Sequence, residues 1–249
     1  MPKFFVNQSQ INDGYVSILG EDAHHISRSL RMAVGEHITV SDMQKNEYDC
    51  VLEDFLDGCV KAKIQGAWHA DTEPRIKVHL FQALPKGEKL DFIIQKSVEC
   101  GVYDITPFES DRCVVRCKSD SEERKKERRN KIALEAAKQC GRGMIPAVNS
   151  TVSFDKVLSE ASKSDAVLFC YEGEGTKPLG KALAEMRLEE KEIKDISVII
   201  GSEGGFSLDE AAKAEHSGFV KIGLGKRILR TETAAVFALS CLVYEFELS

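Results

Sequence analysis

Between residues 67 and 75 the segment AWHADTEPR divides two stretches with different hydrophobic periods, and a chain that changes period in this way folds as two differently built parts. Upstream, the short alternating runs YVSIL, HITVSD, YDCVLEDF and CVKAKIQ are punctuated by Gly14, Gly20, Gly35 and Gly58. Such alternation turns one face of each strand inward and predicts a small β-barrel or sandwich. One helix is expected within it, AHHISRSLRM, with Asp22 as N-cap and Ile26, Leu30 and Ala33 sharing a face. We place the domains at 1–70 and 75–249.

Downstream, strands alternate with helices, which predicts a mostly parallel sheet covered on both faces. IKVHLFQAL (76–84) reads as a strand and EKLDFIIQKSVECG as a helix with Leu90, Ile93, Ile94 and Val98 inward; YDITPFE (103–109) completes a βαβ unit. ERRNKIALEAAKQCGRG is expected to be a helix with an apolar stripe of Ile132, Ala133, Ala136, Ala137 and Cys140. DAVLFCYE (165–172) and ISVIIG (196–201) are further strands, and KPLGKALAEMRLEEKEIKD is a surface helix. The closing segment TETAAVFALSCLVYEF is apolar nearly all round and is expected to be buried.

The composition is that of a globular protein, with 43% hydrophobic and 30% charged residues in 249. No run approaches the ~18 apolar residues of a membrane span, and the start MPKFFVNQSQ has no leader pattern, so a cytoplasmic, membrane-free chain is expected. The eight cysteines form no C-x-x-C pair, and neither Cys113 with Cys117 nor His24 with His25 has further ligands at suitable spacing. No metal is expected.

The richest chemistry lies near the end. GSEGGF (201–206) follows a buried strand, and its glycines permit a tight turn and close backbone approach by a ligand. Ser207 with Glu210 forms a capping box that opens the next helix. The spacing matches neither a dinucleotide fingerprint nor a P-loop. FVKIGLG (219–225) is a second strand and glycine turn, and KRILR then leads to the closing helix. Charges at Arg227, Arg230 and Glu232, set between a glycine turn and a buried helix, are costly unless they are paired or serve a ligand.

GSEGGF together with IGLGKRILRTETA resembles the paired signature of the RsmE-type 16S rRNA (uracil-N3)-methyltransferases, within the SPOUT superfamily. HHISRSLRMAVGEHITV, ALPKGEKLDFIIQKSVECGVYDITPF and KIALEAAKQCGRGMIPAV are similar to the same family, in order and nearly end to end. The chain departs from it at Ser202, where relatives usually carry proline. The resemblance implies a PUA-like β-barrel followed by an α/β domain with a trefoil-knotted C-terminal part, a homodimer, and S-adenosylmethionine held by three loops.

Carried onto this chain, the cofactor loops are Leu168, Phe169, Tyr171 and Glu172; Gly201, Glu203, Gly204 and Gly205; and Ile222, Leu224, Gly225, Ile228, Leu229 and Arg230. The implied reaction moves a methyl group to N3 of a uridine in 16S rRNA of the small subunit, so the imide proton must leave and charge develops on the uracil oxygens. Arg230 is the candidate donor to those oxygens, and Glu232 or Glu203 orients it or accepts the proton. A structural Arg230–Glu232 ion pair is the competing expectation.

A net charge of −6, from 34 Lys and Arg against 40 Asp and Glu, at first argues against an RNA partner. The charge is unevenly spread. Residues 42–57 hold six acids against Lys45, whereas 112–131 holds nine Lys and Arg, Lys118 among them, against four acids that include Asp120. RNA contacts are therefore expected from Arg124, Lys125 and Arg128, with Arg28, Arg31, Lys86, Lys89, Lys96 and Arg142, and an acidic edge is expected near 42–57. Two other readings remain open: a SPOUT enzyme methylating ribose 2′-OH, and a non-catalytic RNA-binding module.

Overall fold

The computed structural model describes residues 1–44, 46–117, 121–188 and 192–249, so Lys45, Lys118, Asp120 and the end of the 177–195 segment at 189–191 lie outside the described residues. The chain divides into two compact units: Met1–Glu73 with Ala137–Ile145, and Pro74–Ala136 with Pro146–Ser249.

The first unit is built on β1 (Lys3–Phe5), β2 (Ile11–Asn12), β3 (Tyr15–Leu19), α1 (Gly20–His24), β4 (His37–Ser41), β5 (Asn46–Leu56) and β6 (Cys59–His69). Its six strands run in the order β1-β4-β5-β6-β3-β2, antiparallel except for β1 beside β4. Asp13 and Gly14, both with positive φ (50° and 79°), make the two-residue turn that joins β2 to β3, a conformation whose twist suits a hairpin. Alternate residues of β3 to β6, among them Val16, Ile18, Ile38, Val40, Leu52, Val60 and Ala62, form the core with Phe4 and Ile26.

The helical expectation for this unit is corrected in detail. The helix begins at Gly20 with Leu19 at its N-cap, Asp22 lies in its first turn, and a π-helical turn takes over at His25–Ser29. The change of period rotates Leu30 out, leaving it 41% exposed while Ile26 is fully buried. Residues 137–145 join this unit through hydrogen bonds and ion pairs. Lys3 bonds Gly141 O at 2.8 Å and Glu47 at 2.5 Å, and Lys138 meets Asp22 at 2.8 Å. Arg142 is buried against Glu73 at 2.5 Å.

The second unit holds β7 (Lys77–Ala83), α2 (Lys89–Glu99), β8 (Asp104–Glu109), α3 (Glu122–Cys140, whose last residues count with the first unit), β9 (Ala147–Val148), β10 (Val152–Ser153), α4 (Phe154–Ala161), β11 (Ala166–Cys170), β12 (Lys177–Pro178), α5 (Leu179–Leu188), β13 (Asp195–Ile200), α6 (Leu208–His216), β14 (Val220–Gly223) and α7 (Thr231–Val243). All its strand pairs are parallel, in the order β10-β8-β7-β13-β11-β14-β12 with β9 beside β8. α2 buries Leu90, Ile93, Ile94 and Val98, the inward face its periodicity predicts.

α7 departs from expectation. It buries Thr231, Ala235, Ala238, Leu239 and Leu242, but Phe237 stays 40% exposed and Tyr244, just beyond its end, 64%. These two rings line an open apolar groove with Leu179, Leu183, Leu224 and Cys241. All eight cysteines are free, and no described helix is long and apolar enough to cross a membrane.

Candidate functional site

The carboxyl ends of the parallel strands β7, β11, β13 and β14 release four loops on one side of the sheet, the place where open α/β sheets hold ligands. The loop after β13, residues 201–206, is anchored by its own last residue. Phe206 is 1% exposed, with its ring centroid 4.4 Å from that of Phe169 and 6.3 Å from that of Phe108. Glu210 secures the same loop from α6, accepting from Ser207 N at 2.9 Å, Ser110 Oγ at 3.1 Å and Asp111 N at 2.9 Å. With those donors its 3%-exposed carboxylate is a satisfied buried group.

A second set of bonds joins the loop to β7 and α7. Thr231 Oγ1 donates to Gly201 O at 2.6 Å, and the Gln82 amide donates to Thr231 Oγ1 at 2.9 Å. Between these anchors and the 223–230 loop lies a cleft of about 610 Å³, within the usual range of small-molecule sites.

The cleft brings together Tyr171, Glu172, Gly201, Glu203, Gly204, Gly205, Leu224, Gly225, Ile228, Leu229 and Arg230 from three separate loops. Leu168, Phe169 and Ile222, all expected to touch the ligand, are fully buried beneath it and absent from its lining. In the sheet these side chains belong to the core that supports the loops, both faces of β11 being covered. Ile228 lines the cleft yet is 89% exposed.

The competing expectation of an Arg230–Glu232 pair is not met. Among the described residues the Arg230 side chain makes no hydrogen bond or ion pair, and Lys89 stands beside Glu232, its Nζ 3.6 Å from Glu232 Oε2. Lys89 Nζ also donates to Glu203 Oε1 at 2.7 Å, and Lys86 N donates to the same oxygen at 3.1 Å. Burial pushes the Glu203 carboxyl up, but these donors outweigh it and hold the group below the usual carboxylate range. Four buried side-chain polar atoms lack a hydrogen-bond partner among the described residues. Three of them, Gln82 Oε1, Ser202 Oγ and Glu232 Oε2, belong to residues in this cleft or bonded to its lining.

Sequence reasoning missed Ser202, Thr176 and Thr231 as cleft residues and assigned Lys89 to RNA. Lys89 is legible only as the first residue of a helix after a strand, a position that opens onto the carboxyl edge of the sheet. The other cations expected to meet RNA are variously engaged. Arg128 forks onto Asp91, Lys96 meets Glu99 at 2.7 Å, and Arg142 is buried and paired as described above, a structural ion pair that is withdrawn from the surface. Arg28, Arg31, Lys86 and Arg124 are exposed, and Lys125 is half-buried. The acidic stretch is likewise partly internal: Asp42 and Glu47 are buried, leaving Glu53, Asp54 and Asp57 exposed.

Residues 72–243 match a family model described as an RNA methyltransferase domain, and residues 18–55 match an RNA methyltransferase PUA domain. The chain is 33% identical to the ribosomal RNA small subunit methyltransferase E of Bacillus subtilis, over all of this chain and 98% of that one. It is 34% identical to the protein of the same name from Mesomycoplasma hyopneumoniae, covering 96% and 98%. Among solved structures it is similar to a Neisseria gonorrhoeae ribosomal RNA small subunit methyltransferase E bound to S-adenosyl methionine, with 28% identity, a TM-score of 0.83 and coverage of 98% and 97%. A Legionella pneumophila methyltransferase in complex with the same cofactor gives 32% identity, a TM-score of 0.84 and coverage of 97% and 96%.

Proposed function

The chain belongs to the ribosomal RNA small subunit methyltransferase E family, and we propose that it methylates N3 of a uridine in 16S rRNA, using S-adenosylmethionine bound in the 201–230 cleft. The observation that carries this reading is the meeting, in one cleft, of the glycine turns at 201–205 and 223–225 with the loop after β11 and with Arg230, whose guanidinium makes no hydrogen bond or ion pair among the described residues.

The cleft residues fit the cofactor. Glycines at 201, 204, 205 and 225 expose backbone amides, Leu224 and Leu229 offer apolar faces for the adenine, and the orphan Ser202 hydroxyl and the Glu172 carboxylate offer polar contacts to its ribose and methionine parts. When bound, the cofactor supplies an electrophilic methyl group on a sulfonium. Arg230 faces the uracil oxygens and balances the charge that grows there as N3 loses its proton. Glu232 accepts that proton. Glu203 is the poorer base, since its oxygen is already taken by Lys86 and Lys89 and its carboxyl is held ionised.

Domain 1–70 serves to grip RNA as a PUA-like barrel and 75–249 carries the chemistry. A knotted C-terminal part is supported by the insertion of β13 between β7 and β11 and the return of α7 against β7 and β13. A second copy of the chain covers the groove of Phe237 and Tyr244, which shares Gly223, Leu224 and Gly225 with the cleft. Arg28, Arg31, Lys86, Arg124 and Lys125 hold the rRNA backbone, and eight free thiols suit a cytoplasmic protein.

The test is nucleoside analysis of 16S rRNA from a strain lacking this protein, before and after incubation of its small subunits with the purified protein and S-adenosylmethionine. Appearance of 3-methyluridine is expected; an unchanged nucleoside profile, or 2′-O-methylation in its place, overturns the reading.

A further inference from the structure

The loop that leaves β8, residues 110–117, is built more tightly than a surface connection needs to be, and it packs on the glycine turn of the cleft. Its inward residues are Ser110 and Cys113, 1% and 5% exposed, with Cys113 N donating to Ser110 O at 3.0 Å. Ser110 Oγ and Asp111 N donate to Glu210, Ser207 Oγ donates to Asp111 Oδ2 at 2.7 Å, and Cys117 N closes the loop on the Glu109 carboxylate. The two acids at hand, Glu109 and Asp111, are thereby engaged.

Arg112 and Arg116 of this loop are exposed, yet each is fixed in place. Arg112 Nη1 donates to Gly204 O at 3.0 Å, and Arg116 donates to Ser110 O at 3.1 Å and to Asp111 O at 3.0 Å. Neither meets a carboxylate among the described residues, whereas Arg128, Arg129, Arg142 and Arg187 are each paired with one. Main-chain carbonyls thus hold two guanidiniums at set positions while leaving their charge uncancelled and their other N–H groups available. Such a site has already met the ordering cost that an anion would otherwise impose on two long side chains. Gly204 shows how close the loop lies to the cleft: a β-carbon there would stand 3.0 Å from Arg112 Cβ and 3.2 Å from Arg112 O.

We propose that Arg112 and Arg116 form a phosphate clamp at the rim of the cleft, binding the rRNA backbone beside the target nucleotide. The inference deepens the reading of the chain as an rRNA methyltransferase and rests on it. A uridine must leave its stack before N3 is reachable, and an enzyme that extrudes it needs a firm hold on the neighbouring backbone. The guanidinium fork matches two oxygens of one phosphate, which a lysine ammonium does not. Lys89, at the same turn, is unsuited for a second reason, since Glu203 already meets its charge.

The test measures binding of 16S rRNA, transcribed in vitro, to the full chain as salt is varied. Wild type is compared with Arg112→Gln, Arg116→Gln and the double variant, and Arg187→Gln serves as an exposed, carboxylate-paired control. S-adenosylhomocysteine titration and thermal melting run alongside. Each single clamp variant is expected to weaken RNA binding about tenfold and to make log affinity against log salt shallower by roughly 0.7 to 0.9, the share of one phosphate. Arg187→Gln changes neither. Arg116→Gln leaves cofactor affinity at the wild-type level because its bonds stay inside its own loop, whereas Arg112→Gln lowers it modestly through the lost bond to Gly204 O. Where a variant fails to fold, phenylglyoxal labelling of wild type decides instead: Arg112 and Arg116 are expected to be shielded when rRNA is bound. The proposal is overturned if the clamp variants keep the wild-type salt slope, if they lose no more than Arg187→Gln, or if both arginines label equally with and without rRNA. Failure of the underlying reading looks different: wild type binds RNA through the clamp yet yields no 3-methyluridine.

Discussion

At Gly205 the chain has φ +62°, and a β-carbon added there would fall on the carboxylate of Glu172. Both facts exclude any other residue: the left-handed conformation disfavours a side chain, and the loop after β11 fills the space where it would stand. Gly205→Ala should therefore push the 201–206 loop and the loop after β11 apart. The expected result is a loss of about 1 kcal/mol or more in stability with a much larger drop in S-adenosylmethionine affinity. Denaturation and calorimetric titration of the same variant measure both, and an unchanged affinity would mean that the contact between Glu172 and Gly205 does not shape the site. The glycine itself is legible in GSEGGF, and so is its freedom to adopt φ > 0. Its reason is not, because the carboxylate that closes on it comes from a loop 33 residues earlier in the chain, about which local sequence says nothing.

At the scale of elements, the other end of the sheet carries a staple. His79 in β7 donates through or accepts at both ring nitrogens, Nδ1 lying 3.0 Å from Asp104 at the start of β8 and Nε2 3.2 Å from Asp195 at the start of β13. The hydrogen bond to Asp104, supported by the charges of both aspartates, raises the imidazole above its ordinary value of 6.5 against the opposing effect of burial. Folding therefore favours the protonated ring. The contribution of the staple is full below pH ~6.5 and is lost as pH rises through the higher folded value. Urea unfolding across this range should show stability falling with pH in wild type and a flatter profile in His79→Asn; parallel profiles would remove the histidine from the account.

Elements differ in how well the sequence announces them. The inward face of α2 follows from spacing alone, and the capping box of Ser207 and Glu210 forms as its pattern demands, since both depend on groups within one turn. α1 does not follow, because a π turn enters after His24 and shifts every later residue around the axis. The apolar character of α7 was legible, but not which of its faces would be left uncovered by α2, β7 and β13.

For the whole molecule, that uncovered face is where the proposed pairing of two copies can be tested. Exposed Phe237 and Tyr244 border an apolar groove of about 520 Å³. Sedimentation velocity is expected to find a dimer for wild type and a monomer for Phe237→Asp, with weaker cofactor binding in the monomer because groove and cleft share the 223–225 turn. A wild-type chain that sediments as a monomer at every loading would refute this use of the groove. Charge is also redistributed by folding: the net of −6 hides a surface on which some acids are internal and several arginines are already paired, so neither the total nor a count along a segment measures what RNA meets. By itself the sequence determined two differently patterned parts, most strands and helices, and the glycine loops that mark the site, because periodicity and turn chemistry act over a few residues. Only the tertiary structure decided that Lys89 would meet Glu203 across 114 positions and Gln82 would meet Thr231 across 149. Those meetings depend on β13 lying beside β7, and the order of strands in a sheet is set by packing through space, which no local pattern records.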